Sequence, residues 1–98
     1  MELTNKNIRY LKSLAHKYKP IVIVGNAGLT EAVINEIDSS LAHHELMKIR
    51  VNAPDRESRR SLLNEIADQA NCSLVQHIGN IGLFYRPAKK PVIQLPSS

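Results

Sequence analysis

The sequence predicts an α/β fold, a single small domain in the order helix, strand, helix, strand, helix, strand, strand. Three observations carry this reading. Ile21-Val22-Ile23-Val24 is a run of four branched aliphatic residues ending at Gly25, the pattern of a short strand buried on both faces. Met47, Ile49 and Val51 alternate with Lys48 and Arg50, the period of a strand with one face in the core. Three further stretches space their apolar residues for a helix, each behind a Thr or Asp that suits an N-cap.

The first helix starts at the N-cap Thr4 and runs to Tyr18, stopped by Pro20. Its apolar stripe is Ile8, Leu11, Leu14, Ala15 and Tyr18, with Lys6, Arg9, Ser13, His16 and Lys17 opposite. After the first strand, Gly25-Asn26-Ala27-Gly28 turns directly into a second helix capped by Thr30. The stripe of that helix is Val33, Ile34, Ile37 and Leu41, continued by His44, which suits a role at the core edge or at the helix C-terminus. The second strand spans Leu46 to Asn52. A third helix follows the N-cap Asp55, with Leu62, Leu63, Ile66, Ala67 and Ala70 inward. Arg56, Arg59 and Arg60 stand near its start, against the helix dipole. A partner or local ion pairing explains them equally well.

Strands Ser73 to Ile78 and Leu83 to Arg86 form a hairpin around Gly79-Asn80-Ile81-Gly82. That second Gly-x-x-Gly reads as a purely conformational turn. Phe84 and Tyr85 alternate, so one of the two faces the core. Residues 1–87 make up the domain, and residues 88–98, with Pro91 and Pro96, an extended and partly mobile tail.

Composition excludes several classes. With 98 residues, 43% hydrophobic and 22% charged, the chain is an ordinary globular domain. No apolar run reaches membrane-spanning length and no signal pattern opens the chain, so a cytoplasmic location without a membrane partner is expected. Cys72 is the only cysteine, which rules out an internal disulfide and suggests a buried thiol at the start of a strand. His43 and His44 are adjacent, poor spacing for two ligands on one helix face, and His16 and His77 lie far away in sequence. Neither a metal nor a cofactor is expected. There is no Gly-x-Ser-x-Gly, no phosphate-loop Lys-Ser/Thr ending and no dinucleotide fingerprint, and Glu36 and Asp38 face different ways on one helix. The chain reads as no enzyme.

Charge points to a partner instead. The net charge is +4, and it is segregated. Residues 1–20 carry Lys6, Arg9, Lys12, Lys17 and Lys19 against Glu2 alone, whereas residues 29–47 hold four acids and no base. One basic face is an electrostatic footprint for nucleic acid. The turn supplies the second half of that argument. Glycines let a backbone approach another molecule closely, and a helix N-terminus offers free N–H groups to a phosphate. The candidate site is therefore Gly25, Asn26, Ala27, Gly28, Leu29 and Thr30, with amides up to Glu31. Lys6, Arg9, Lys12, Lys17, Lys19, Lys48, Arg50 and Arg86 supply the charge. Aromatic residues are few, Tyr10 being the best stacking candidate, so binding should rest on phosphate contacts and shape.

These residues resemble the YhbY-type, single-domain members of the CRM (chloroplast RNA splicing and ribosome maturation) RNA-binding family. The resemblance covers residues 2–96 and rests on Leu3-Thr4, Leu14-Ala15-His16, Lys19-Pro20, Gly25 to Glu31, His43 to Lys48, and Tyr85-Arg86-Pro87. It implies a four-stranded mixed sheet similar to the C-terminal domain of bacterial translation initiation factor three. It also implies RNA binding through the Gly25 to Gly28 loop, by analogy with KH domains, on ribosomal RNA during assembly of the large subunit. In a KH domain the loop joins two helices; here it joins a strand to a helix. The loop also carries no Lys or Arg, so its charge must come from the first helix or from Lys48 and Arg50. A monomer is expected. The rival readings are a module that docks a ribosomal protein or assembly factor through the acidic stretch, and an Alba-like nucleic-acid protein, which would be a stable dimer.

Overall fold

The computed structural model describes residues 2–97. Three helices, α1 (Asn5–Leu14), α2 (Glu31–His44) and α3 (Arg56–Gln69), enclose four strands, β1 (Pro20–Val24), β2 (Leu46–Val51), β3 (Ser73–Ile78) and β4 (Ile81–Tyr85). The sheet order is β1-β2-β4-β3. β1 runs parallel to β2 and the other pairs are antiparallel, giving the mixed sheet that the resemblance implied.

The sheet separates two cores. On one side Ile37 and Leu41 of α2 and Leu63 and Ile66 of α3 close over Val22, Val24, Met47, Ile49, Val51 and Phe84. On the other, Leu11 and Ala15 meet Leu46, Val75, Leu83 and Tyr85, with Ile93 and Leu95 of the C-terminal segment packed beside them. Phe84 and Tyr85 are therefore both buried, one in each core, where alternation alone had placed only one inside.

Three elements differ from the sequence expectation. The first helix ends at Leu14, because Ala15 leaves helical geometry (φ −87°, ψ 0°) and caps it. Tyr18 thus falls in the following turn and is exposed, not part of the core stripe. β1 is an edge strand covered on one face only: Val22 and Val24 are buried, whereas Ile21 and Ile23 are 48% and 59% exposed. A run of branched aliphatics does not reveal whether its second face has a layer over it. Finally, the β3–β4 turn is tighter than expected, with Ile78 already paired to Ile81 around Gly79-Asn80. Gly82 lies inside β4, where a Cβ would stand 2.7 Å from Leu63 Cδ2 and 2.8 Å from Phe84 Cε2. Its lack of a side chain lets α3 sit close against the sheet.

The C-terminal segment has no helix or strand but is tied down. Asn7 completes a capping box with Thr4 and donates its Nδ2 to the Pro96 carbonyl at 2.9 Å. Glu45 does more. Its buried carboxylate accepts the backbone N–H groups of Ala88 (2.7 Å), Val92 (3.0 Å) and Ile93 (2.9 Å). Its own backbone turns the chain out of α2 at φ +64°, a conformation that costs a non-glycine residue about 1–3 kcal/mol. The segment is thus anchored near both of its ends by hydrogen bonds to Glu45 and Asn7.

Burial pushes the Glu45 pKa up, yet the three donors together outweigh it and hold the carboxyl below its ordinary value. A folded pKa below the unfolded one means the unfolded chain binds the proton more readily. The stabilisation is therefore complete above the unfolded pKa of about 4.3 and is lost as pH falls through the folded value. Glu45→Gln, which leaves buried donors short of an acceptor, should cost about 1–3 kcal/mol at pH 7. Thermal melts should show that gap narrowing as pH falls below about 4.3. A gap independent of pH would contradict the role given to the carboxylate.

Candidate nucleic-acid interface

Three connections meet at one end of the sheet. The β1–α2 turn, the β2–α3 loop and the β3–β4 turn are held together by backbone bonds: Asn52 N donates to Val24 O at 2.9 Å and Val51 N to Asn80 O at 2.8 Å.

In the first of these, Gly28 N donates to Gly25 O (3.0 Å) and Thr30 N to Gly28 O (3.1 Å), while Thr30 Oγ1 caps Val33 N at 3.2 Å. The Gly28 and Thr30 amides are thus spent within the turn. Among the described residues, the amides of Leu29 and Glu31 have no backbone acceptor. Gly28 stands at φ +74°, which favours glycine. Gly25 does not, and a Cβ there would meet nothing within 4 Å. The fold has no need of glycine at position 25, where a methyl group would meet open space. Exposed Glu31 opens α2 and offsets its dipole, so charge for a phosphate must come from nearby bases.

Two bases are well placed. On the sheet face opposite α2 and α3, the register sets Ile23, Arg50, Ile81 and Ile78 in a row from edge to edge. α1 and the C-terminal segment cover the far part of this face and leave that row open, with Ile78 65% exposed. Lys48 lies one row further in, beside Gln76 and Leu83. Lys6, Arg9, Lys12 and Lys17 are exposed on or just after α1, over the same side of the sheet, as is Tyr10. Lys19 is at the other end of β1 from the glycine turn, next to His44 and Leu46. None of these bases forms an ion pair among the described residues.

Arg86, expected at the interface, is instead a clamp. Its Nη1 donates to Asp38 Oδ1 (2.7 Å) and to the Ala70 carbonyl (2.8 Å), and its Nη2 to the Asp38 carbonyl (2.9 Å). The end of β4 is thereby fastened to α2 and to the end of α3. In the acidic stretch Asp38 is thus paired with Arg86, and Glu45 is buried against the C-terminal segment.

The turn Gly25–Gly28 and the β2–α3 loop form a ridge between two open grooves. One, about 680 Å³, is lined by Gly25, Asn26, Gly28 and Asn52 together with Asp55, Glu57 and Glu65, and by no base. The other, about 720 Å³, is lined by Asn26, Asn52, Asn80 and Arg59 and by no acid. Sequence reading noticed Arg59 through its place against the helix dipole but had no signal for Asn52 or Asn80, which only the sheet topology brings to the site. Among the described residues no three His, Cys, Asp or Glu gather to hold a metal ion, and burial pushes the Cys72 thiol up to about 11. Among the described residues no helix is long and apolar enough to cross a membrane.

Comparison with known proteins agrees with this architecture. A Haemophilus influenzae protein named an RNA-binding protein is 44% identical over 94 residues, covering 96% of this chain and 95% of its own. A Pseudomonas aeruginosa protein, named a probable RNA-binding protein, is 42% identical over 91 residues, 93% of this chain and 88% of its own. The solution structure of a Staphylococcus aureus protein superposes with a TM-score of 0.83 at 36% identity, over 97% of this chain and all of that one. The model of the CRS1/YhbY (CRM) domain matches residues 3–86, and with these relatives it shows that the chain belongs to the CRS1/YhbY (CRM) domain family.

Proposed function

We propose that the protein binds RNA without catalysis, using the Gly25–Gly28 turn and the open sheet face beside it, and that its RNA is ribosomal, in a precursor of the large subunit. The observation that carries the reading is the pairing of an unobstructed turn at Gly25 with unpaired Lys48 and Arg50 on an uncovered, partly apolar face. Phosphates would be held by Lys48, Arg50 and the bases of α1 and the turn after it. Ribose and base edges would pack on Ile23 and Ile78. RNA binding is supported by relatives that carry RNA-binding names. The choice of ribosomal RNA, and with it a cytoplasmic place of work, rests on the family resemblance. Docking of a protein on the acidic stretch is less well supported, because of its four acids Glu45 is buried and Asp38 is paired with Arg86.

Fluorescence anisotropy with a structured large-subunit RNA fragment, a single-stranded RNA and duplex DNA, each across a salt series, tests the proposal. RNA binding should weaken with salt at a log–log slope of roughly −0.7 per phosphate contacted on single strands. Lys48→Ala combined with Arg50→Ala should flatten that slope by about 1.4. Failure of the protein to bind any RNA at low salt would overturn the reading.

Gly25→Ala separates fold from contact. A methyl group fits the free protein, so melting should be unchanged, while RNA affinity should drop about fivefold or more if the ribose–phosphate chain passes over the turn. Unchanged affinity with unchanged melting would remove Gly25 from the interface.

A further inference from the structure

Arg59 is in an unusual position for an arginine with a mostly covered side chain. Its Nη1 makes one long bond, 3.3 Å to the Ala53 carbonyl, and its Nε is buried with no partner among the described residues. Among the described residues no carboxylate forms an ion pair with it, although its charge helps to hold the Asp55 carboxyl below its ordinary value; Arg86, in contrast, has three bonds of 2.7–2.9 Å. A guanidinium offers five N–H donors; Nε is buried and Nη1 makes the one bond, so the donors that are not buried are left for an acceptor from outside.

The surroundings narrow that acceptor. Asn26, Asn52 and Asn80 share the groove with Arg59, and among the described residues none of their side chains makes a hydrogen bond within the chain. A free primary amide both donates and accepts, as does a ribose 2′-hydroxyl. Across the ridge, the groove lined by Asp55, Glu57 and Glu65 repels a polyanion. Gly25, Gly28, Asn26 and Asn52 border the acidic groove as well, so the difference in charge, not the turn itself, favours the Arg59 side as the seat of a phosphate. Arg50, opposite Ile81 and next to the β3–β4 turn, continues the positive track onto the open sheet face.

We propose that the groove between the Gly25–Gly28 turn, the β2–α3 loop and the β3–β4 turn holds one ribose–phosphate unit, with Arg59 on the phosphate and the Asn52 and Asn80 amides on the 2′-hydroxyl. This rests on the RNA-binding reading and adds to it a source of preference for RNA over DNA. The three loops are already fixed by the Val51–Asn80 and Asn52–Val24 backbone bonds, so the site is preformed in the free protein.

The test compares wild type, Arg59→Gln, Arg59→Lys and the Asn52→Ala/Asn80→Ala double variant. Each is titrated with a fluorescent RNA hairpin and with the DNA hairpin of the same sequence across a salt series, and melted to check the fold. Arg59→Gln should bind both hairpins about tenfold more weakly, with a salt slope flatter by roughly 0.7–0.9. Arg59→Lys should restore the slope. The double asparagine variant should keep the wild-type slope and lose its preference for RNA. If wild type binds neither hairpin, the RNA-binding reading itself falls. If wild type binds RNA but Arg59→Gln matches it in affinity and slope, or the double variant keeps the full RNA preference, the groove assignment falls alone. Should Arg59→Gln melt early, the asparagine pair, whose side chains hold nothing in the fold, decides the matter.

Discussion

The parallel pairing of β1 with β2 is the constraint on which the rest of the structure depends. Parallel neighbours cannot be joined by a hairpin, so the chain must leave β1 at one end of the sheet, cross over through α2 and return. Their C-terminal ends then lie together, which brings the glycine turn beside the β2–α3 loop. Because β4 runs antiparallel to β2, the β3–β4 turn arrives at the same end. In open α/β sheets, the space beyond the carboxyl ends of parallel strands is where ligands are bound. Here the topology assembles three short connections there, and two backbone bonds lock them into one surface.

A second division runs through the charges. The acids and bases near the C-terminal half of the chain work inward. Glu45 gathers three amides of the final segment, and Arg86 joins β4 to both helices of the larger core through Asp38 and the carbonyl of Ala70. The bases of α1 and β2 are left without acidic partners and look outward. A net charge of +4 therefore understates the polarity of the molecule, since part of its acidic complement is withdrawn from the surface. That separation makes a polyanion a better partner than an acidic protein.

Much of the fold was legible in the sequence because its signals are local. Thr4, Thr30 and Asp55 each cap the helix they precede, and the alternation of β2 holds residue by residue. What escaped is set by distant parts of the chain. Whether Ile21 and Ile23 are covered depends on how far α1 reaches across the sheet, and the Ile-Val-Ile-Val run is silent on that. Gly82 looks like turn punctuation until Leu63 of α3 is seen against it. The same limit applies to the site. Gly25, Gly28, Lys48 and Arg50 stand out in the sequence through motif and alternation, but Asn52 and Asn80 are ordinary loop residues until the topology joins their loops. The roles of Arg86 and Glu45 escape sequence reading because their partners lie 16 to 48 residues away along the chain and meet them only through the tertiary fold.

The most direct test of the central claim is a nitrogen–proton NMR titration of the whole protein with a structured large-subunit RNA fragment. The account predicts that backbone amide shifts cluster at Gly25 to Glu31, Lys48 to Asn52 and Gly79 to Ile81, spread onto α1, and leave Glu57 and Glu65 unmoved. Shifts confined to the outer face of α2, or centred on the groove of Asp55, Glu57 and Glu65, would contradict it.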